Sequence, residues 1–175
     1  MPRHTGVLID LIQKEQIKIF AEIGIAWGKN LKKILQSDSA KIIEEYWAVD
    51  PWNPLLNSGP PNGYEMLCSL APYFKQLRIL QFHSIDAAKF FPDNYFDMVY
   101  IDANHTYEAV SQDIPAWLPK VKIGGILGGH DYNMSSIRRA VDELLPGAWE
   151  PPPAPRGSTK VWLFRKVQCL DTQKH

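Results

Sequence analysis

"IKIFAEIGIAWGKNLKKILQS" (residues 17–37) decides the fold. Its first part, "IKIFAEIG", is a short apolar run closed by Gly24 and predicts a strand, while "KNLKKILQS" predicts a helix. Between them "EIGIAWG" must turn the chain. Glycine lets a backbone turn tightly and approach a ligand, and the following helix offers free N–H groups at its start. The G-x-G-x-x-G pattern of dinucleotide folds is absent. Instead Glu22 stands two residues before Gly24, and Gly28 four after it. A carboxylate there repels a pyrophosphate and suits a ligand carrying an ammonium or sulfonium charge. Taken alone, the stretch reads first as a glycine turn with no ligand.

The same unit recurs along the chain. "EEYWAVD" (44–50), "LRILQFH" (77–83), "FDMVYID" (96–102), "GGILGGHD" (124–131) and "KVWLFRK" (160–166) read as further strands. The intervening helices are "YEMLCSLAPYF" (64–74), kinked or ended by Pro72, "IDAAKFF" (85–91), "TYEAVSQDIPAWLPK" (106–120), broken near Pro115, and "SSIRRAVDELL" (135–145). Val7, Leu8, Leu11 and Ile12 share one face of a leading helix over residues 1–16, capped by Thr5. Strands alternating with helices predict a mostly parallel sheet covered on both faces, in one α/β domain of 175 residues whose core runs over 17–167. In "GGILGGHD" the glycines predict close approach of neighbours to a buried strand.

Composition narrows the function classes. Nineteen Lys+Arg balance nineteen Asp+Glu, so nothing announces a general attraction for nucleic acid. Cys68 and Cys169 show no metal or redox spacing, the first residues lack the apolar core of a signal peptide, and no stretch reaches the length of a membrane span. These features predict a cytoplasmic protein with no membrane partner.

In such sheets ligands bind beyond the carboxyl ends of the strands. Five strand ends place polar groups on that rim: Glu22 with Gly24, Asp50, His83 with Ser84, Asp102, and His130 with Asp131. Asp50 can accept both hydroxyls of a ribose, or can serve as a loop carboxylate or cap. Trp52 beside it can pack on a ligand or line the loop. Ser84 and Asp86 lie where an adenine edge would be read, although a serine there more commonly caps the next helix.

"AEIGIAWGKN", "WAVDPW" and "FDMVYIDANHTYEAVSQDIPAWLPKVKIGGILGGHDY" resemble the class I S-adenosylmethionine-dependent methyltransferases. Within them the chain is similar to a small group with I-D-x-x-H-x-Y-E and G-G-x-x-x-G-H-D-Y stretches. The resemblance runs from Glu22 to Tyr132. It implies a Rossmann-like, doubly wound seven-stranded sheet with the last strand antiparallel, and S-adenosyl-L-methionine as cofactor. The methionine end falls to Glu22, Gly24 and Gly28, the ribose to Asp50 and the adenine edge to Ser84, with Asp102 also on the cofactor wall. Ala26 departs from the pattern, standing where many members carry a middle glycine; alanine resists positive φ, which bears on cofactor affinity.

Catechol-type relatives hold a divalent cation at the ends of the fourth and fifth strands. The matching positions here are Asp102, His130 and Asp131. One imidazole beside two carboxylates suits Mn²⁺, Fe²⁺ or Zn²⁺ somewhat better than Mg²⁺. His105, three residues past Asp102, is a candidate general base, and Asp102 and His130 join it as catalytic candidates. Tyr107 and Tyr132 read as packing residues, and Glu108 and Asp113 as solvated helix charges. The expected reaction is O-methylation of a small hydroxylated acceptor. The loops at 53–63 and 132–135 should shape its pocket, Trp27, Trp52 and Tyr132 are compatible with a ring, and a second copy of the chain is a candidate for completing it. A cofactor-binding module without transfer activity stays open; a nucleotide-dependent oxidoreductase is disfavoured by the missing fingerprint.

Overall fold

The computed structural model describes residues 3–52, 63–151 and 160–168. The expected acceptor loop (except Gly63), residues 152–159 of the proline-rich stretch and Cys169 lie outside them. Twelve elements follow in order: α1 (Arg3–Glu15), β1 (Ile19–Ile23), α2 (Lys29–Leu35), β2 (Glu45–Val49), α3 (Gly63–Leu70), β3 (Leu77–Leu80), α4 (Ser84–Ala88), β4 (Phe96–Ile101), α5 (Tyr107–Trp117), β5 (Val121–Gly129), α6 (Ser135–Leu144) and β6 (Trp162–Arg165). The sheet order is β3-β2-β1-β4-β5-β6, parallel except for β6 against β5. Side chains alternate between two cores. Phe20, Tyr46, Met98 and Tyr100 face α1 and α2 through Leu8, Ile12, Leu31 and Ile34. Ala21, Val99, Ile101 and Leu127 face Ala87, Val110, Ile114 and Val141 on the other side. Burial on both faces explains why these strands read as near-continuous apolar runs.

The residue patterns give six strands, and six are present among the described residues; the seventh implied by the resemblance is corrected. Where it would lie, Trp149 exchanges two backbone hydrogen bonds with Leu163, each 2.9 Å, as an isolated antiparallel bridge on β6. Pro151 follows two residues on, and proline has no N–H to extend a ladder.

Other corrections are local. Thr5 lies inside α1 rather than capping it, and its hydroxyl donates to Asn30 Oδ1 at 2.6 Å. Pro115 lies inside α5 without breaking it: it forgoes one ladder bond, to the Ser111 carbonyl, and the helix runs on to Trp117 before a 3-10 turn. Pro72 does end its helix, within a 3-10 turn after α3. β3 stops at Leu80, leaving His83 to precede α4 and Ser84 to open it. β5 starts at Val121, earlier than the glycine pair, and its register against β4 jumps between Phe96 and Met98 so that Ile123 bulges outward. At Gly129 an added Cβ would lie 2.6 Å from both the Ile101 carbonyl oxygen and the Trp162 ring, the close approach expected of this strand. No helix among the described residues is long and apolar enough to cross a membrane.

Candidate active site

Strand order reverses between β1 and β4, and a cavity of about 990 Å³ opens there, at the carboxyl rim. Glu22, Gly24, Asp50, Ser84, Asp102 and His105 all line it. The rim is drawn tight by Asp102 N–H donating to Ile23 O at 2.7 Å and Gly24 N–H to Val49 O at 2.8 Å. Gly24 has φ 91°, and a Cβ on it would overlap the Asp102 carbonyl, so only glycine lets β1 and β4 converge here.

On the β1–β2 side the carboxylates are engaged by the protein itself. Asp50 Oδ2 accepts the Ile25 and Ala26 N–H groups at 2.9 and 3.0 Å, and Oδ1 accepts Trp52 N–H at 2.6 Å. Asp50 therefore holds the glycine turn in shape, and its remaining lone pairs are what a ribose can use. Gly28 precedes α2 at φ 62°, outside the residues that line the cavity. Ala26 has φ 46°, the left-handed conformation that costs a side-chain-bearing residue roughly 1–2 kcal/mol. Trp52, also at positive φ, is buried in the α1–α2 core rather than set on the cavity. Glu22 is 2% exposed. Tyr46 Oη donates to one of its oxygens and Asn30 Nδ2 to the other at 3.0 Å, completing a buried chain from Thr5 through Asn30 to Glu22. Burial pushes the Glu22 carboxyl up to about 8.

On the β4–β5 side the groups are close but loosely paired. His105 Nε2 lies 3.5 Å from Asp102 Oδ1 and its Nδ1 3.6 Å from Asp131 Oδ2. His130 Nδ1 lies 3.2 Å from Asp131 Oδ2 and 3.7 Å from Asp102 Oδ1. Asp102 and then Asp131 raise the His105 pKa above its ordinary value against the effect of burial. Nε2 of His105 is buried and makes no hydrogen bond. Backbone contacts fix the cluster. His130 N–H extends the β4–β5 ladder to Ile101 O at 3.1 Å, Thr106 caps α5 by accepting Ala109 N–H, and Ser136 Oγ donates to the His105 carbonyl. Asp131 itself sits at φ 52°, a left-handed conformation aspartate tolerates better than most residues.

Sequence reasoning missed His4. The leading helix brings its ring to 4.2 Å from that of His130 and to the cavity wall, and burial, with His130 next, lowers its pKa. It missed Asp113 in another sense, since this residue is not a solvated charge but is 3% exposed. The signal was in its spacing: Val110, Asp113, Ile114 and Trp117 form one helical stripe, and a carboxylate in an apolar stripe is a buried one. Ser84 Oγ donates to Asp113 and accepts Trp117 Nε1–H at 2.9 Å, so it does not cap α4. Glu108 is exposed as expected. Tyr107 and Tyr132 donate to Glu143 and Asp142 of α6 at 2.5 Å each, and neither lines the cavity. Trp27, 57% exposed, does.

Asp102, His105 and Asp131 each offer a ligand atom, all within 4.8 Å of one another, and this donor set fits a first-row divalent cation. The set differs from the expected one by taking His105; His130 stands beside it at ion-pair distance from both aspartates. The buried His105 Nε2, whose approach to Asp102 Oδ1 at 3.5 Å is too loose to satisfy it, is the observation that favours the fit.

A family model described as a methyltransferase domain matches residues 21–132. No curated protein matches the sequence. Among solved structures, the O-methyltransferase NovP superposes with TM-score 0.69 at 14% identity, over 95% of this chain and 80% of its own. The N-methyltransferase NodS from Bradyrhizobium japonicum WM9 gives 0.63 at 14%, over 95% of both chains. An rRNA methylase from Streptococcus thermophilus gives 0.64 at 14%, over 96% of this chain and 98% of its own. At that identity the likeness is one of fold, and the three names span different acceptors.

Proposed function

The chain belongs to that methyltransferase-domain family, and on this premise we propose that it is an S-adenosylmethionine-dependent enzyme methylating a hydroxyl oxygen of a small acceptor. One observation carries the reading: the ends of β1 to β4 gather Glu22, Asp50, His83, Asp102 and His105 around one cavity where strand order reverses, with the β5 pair His130 and Asp131 in ion-pair reach of Asp102 and His105. The cavity has the volume of a cofactor-sized ligand site. On this reading Glu22, a neutral carboxyl at pH 7 in the free protein, would ionise against the positively charged methionine end, with Asp50 at the ribose and Ser84 at the base.

Bound there, S-adenosylmethionine would supply its methyl group to the acceptor oxygen and would leave as a neutral thioether. Holding the two partners within attack distance supplies much of the acceleration, several kcal/mol by the general measure of positioning effects. The hydroxyl proton must leave as well. His105 reaches the cavity beside two carboxylates that increase its basicity, which fits it to take that proton. Alternatively Asp102, His105 and Asp131 would hold a divalent cation, which lowers the pKa of a bound hydroxyl and orients it. His105 cannot do both.

Thermal shift with S-adenosylmethionine and with NAD separates a transferase from an oxidoreductase; stabilisation by NAD alone would refute the reading. Methyl transfer to a panel of small catechols and alcohols, with and without chelator, assigns His105. Chelator-sensitive transfer makes it a ligand and insensitive transfer leaves it the base. Cofactor binding with no transfer to any acceptor would favour a binding module.

A further inference from the structure

The β3–α4 side of the cavity is lined by Phe82, His83, Ser84 and Ile85, with Gln112 and Asp113 from α5. A serine hydroxyl has one proton to donate and two lone pairs to accept with. At Ser84 the proton is given to Asp113 and one lone pair takes Trp117 Nε1–H. One lone pair remains for a ligand. Asp113 depends on that hydrogen bond. It is almost wholly buried, and Ser84 is the one hydrogen-bond partner found for its carboxylate among the described residues. Burial raises its pKa to about 6, which still leaves it ionised, and able only to accept, at pH 7.5.

The geometry points to Asp113 as a positioning residue that fixes the polarity of Ser84, so that this end of the cavity accepts a ring edge presenting an amino group and rejects one presenting a carbonyl. This rests on the transferase reading, in which the ring is the adenine of the cofactor. An oxo group at the same position would set two lone pairs against each other, with no rotation of the hydroxyl available to relieve it. Polar groups committed in this way discriminate far more strongly than apolar ones. The helical stripe is what sets the device. Asp113 lies between Val110 and Trp117 on the buried face of α5, which brings carboxylate and indole to the same hydroxyl at the start of α4.

The test compares S-adenosylhomocysteine with S-inosylhomocysteine, in which C6 carries an oxo group in place of the amino group and N1 carries a proton, by isothermal titration at pH 7.5. The wild type should prefer the amino form by about 100-fold. Asp113→Ala frees the Ser84 hydroxyl to donate, so the inosyl compound should bind more tightly than it does to the wild type, a gain that mere loss of structure would not produce. If that variant does not fold, Ser84→Ala serves: it should weaken the adenosyl compound and leave the inosyl one little changed. A wild type that binds both compounds equally, or a Ser84→Ala protein with an undiminished preference, would overturn the assignment while leaving the transferase reading in place. Failure of the wild type to bind S-adenosylhomocysteine at all would sink both.

Discussion

The two sides of the carboxyl rim treat their acidic groups in opposite ways. Beside β1 and β2, Glu22 and Asp50 are buried, and each carboxylate oxygen accepts at least one hydrogen bond from the protein. Beside β4 and β5, Asp102, His105, His130 and Asp131 are partly exposed and meet at 3.2–3.7 Å without a full set of hydrogen bonds. A satisfied buried carboxylate shapes a wall, whereas a loosely paired one keeps lone pairs for a proton, a metal or a substrate. The difference separates a half that is built to hold from a half that is free to react.

That contrast predicts effects of different kinds. The largest should come from the β4–β5 side: Asp102→Asn should lower turnover by about 100-fold or more while leaving thermal stability near wild type. Retained turnover would place the chemistry elsewhere. In the holding half the effect should be on stability. Glu22→Ala strands the Tyr46 hydroxyl and the Asn30 amide in the core and should cost about 2–4 kcal/mol in urea unfolding. Glu22→Gln should cost much less, since its amide can donate to Tyr46 and its oxygen accept from Asn30.

The protonation of Glu22 sharpens the contrast further. Its folded value of about 8 lies above the ordinary 4.5, so the stability drawn from the neutral carboxyl is complete below pH 4.5 and is lost as pH rises through 8. Asp113 acts with the same sign between 3.8 and about 6. Between pH 6 and 9 the urea midpoint of the wild type should therefore fall more than that of Glu22→Gln; parallel curves would contradict the burial of an uncharged group. The smallest effect belongs to the glycine turn. Ala26→Gly relieves a left-handed alanine and should stabilise by about 0.5–1 kcal/mol, read as a raised melting temperature, with tighter cofactor binding beside it.

Much of this was legible in the residues. Apolar runs of strand length alternating with helical spacing identify the α/β sheet, and a polar residue closing each run marks the rim, because both depend on local periodicity and on which groups water must reach. Ala26 is an example of the same kind: its departure from glycine is visible in the sequence, and the positive φ gives it a physical cost. The strand count was legible in the same way: the apolar runs give six, the number present among the described residues, and the seventh came only from the resemblance.

The sequence by itself determined the class of fold, the order of its elements and the rim on which chemistry sits. Tertiary structure alone decided which of the rim's groups are already committed. It set His4 of the first helix against His130, closed the Thr5–Asn30–Glu22 chain, and buried Asp113 against Ser84. The physical reason is separation along the chain. These partners lie 8–126 residues apart, and hydrogen-bond partnership at such distances follows from how helices dock on the sheet, which no local pattern encodes.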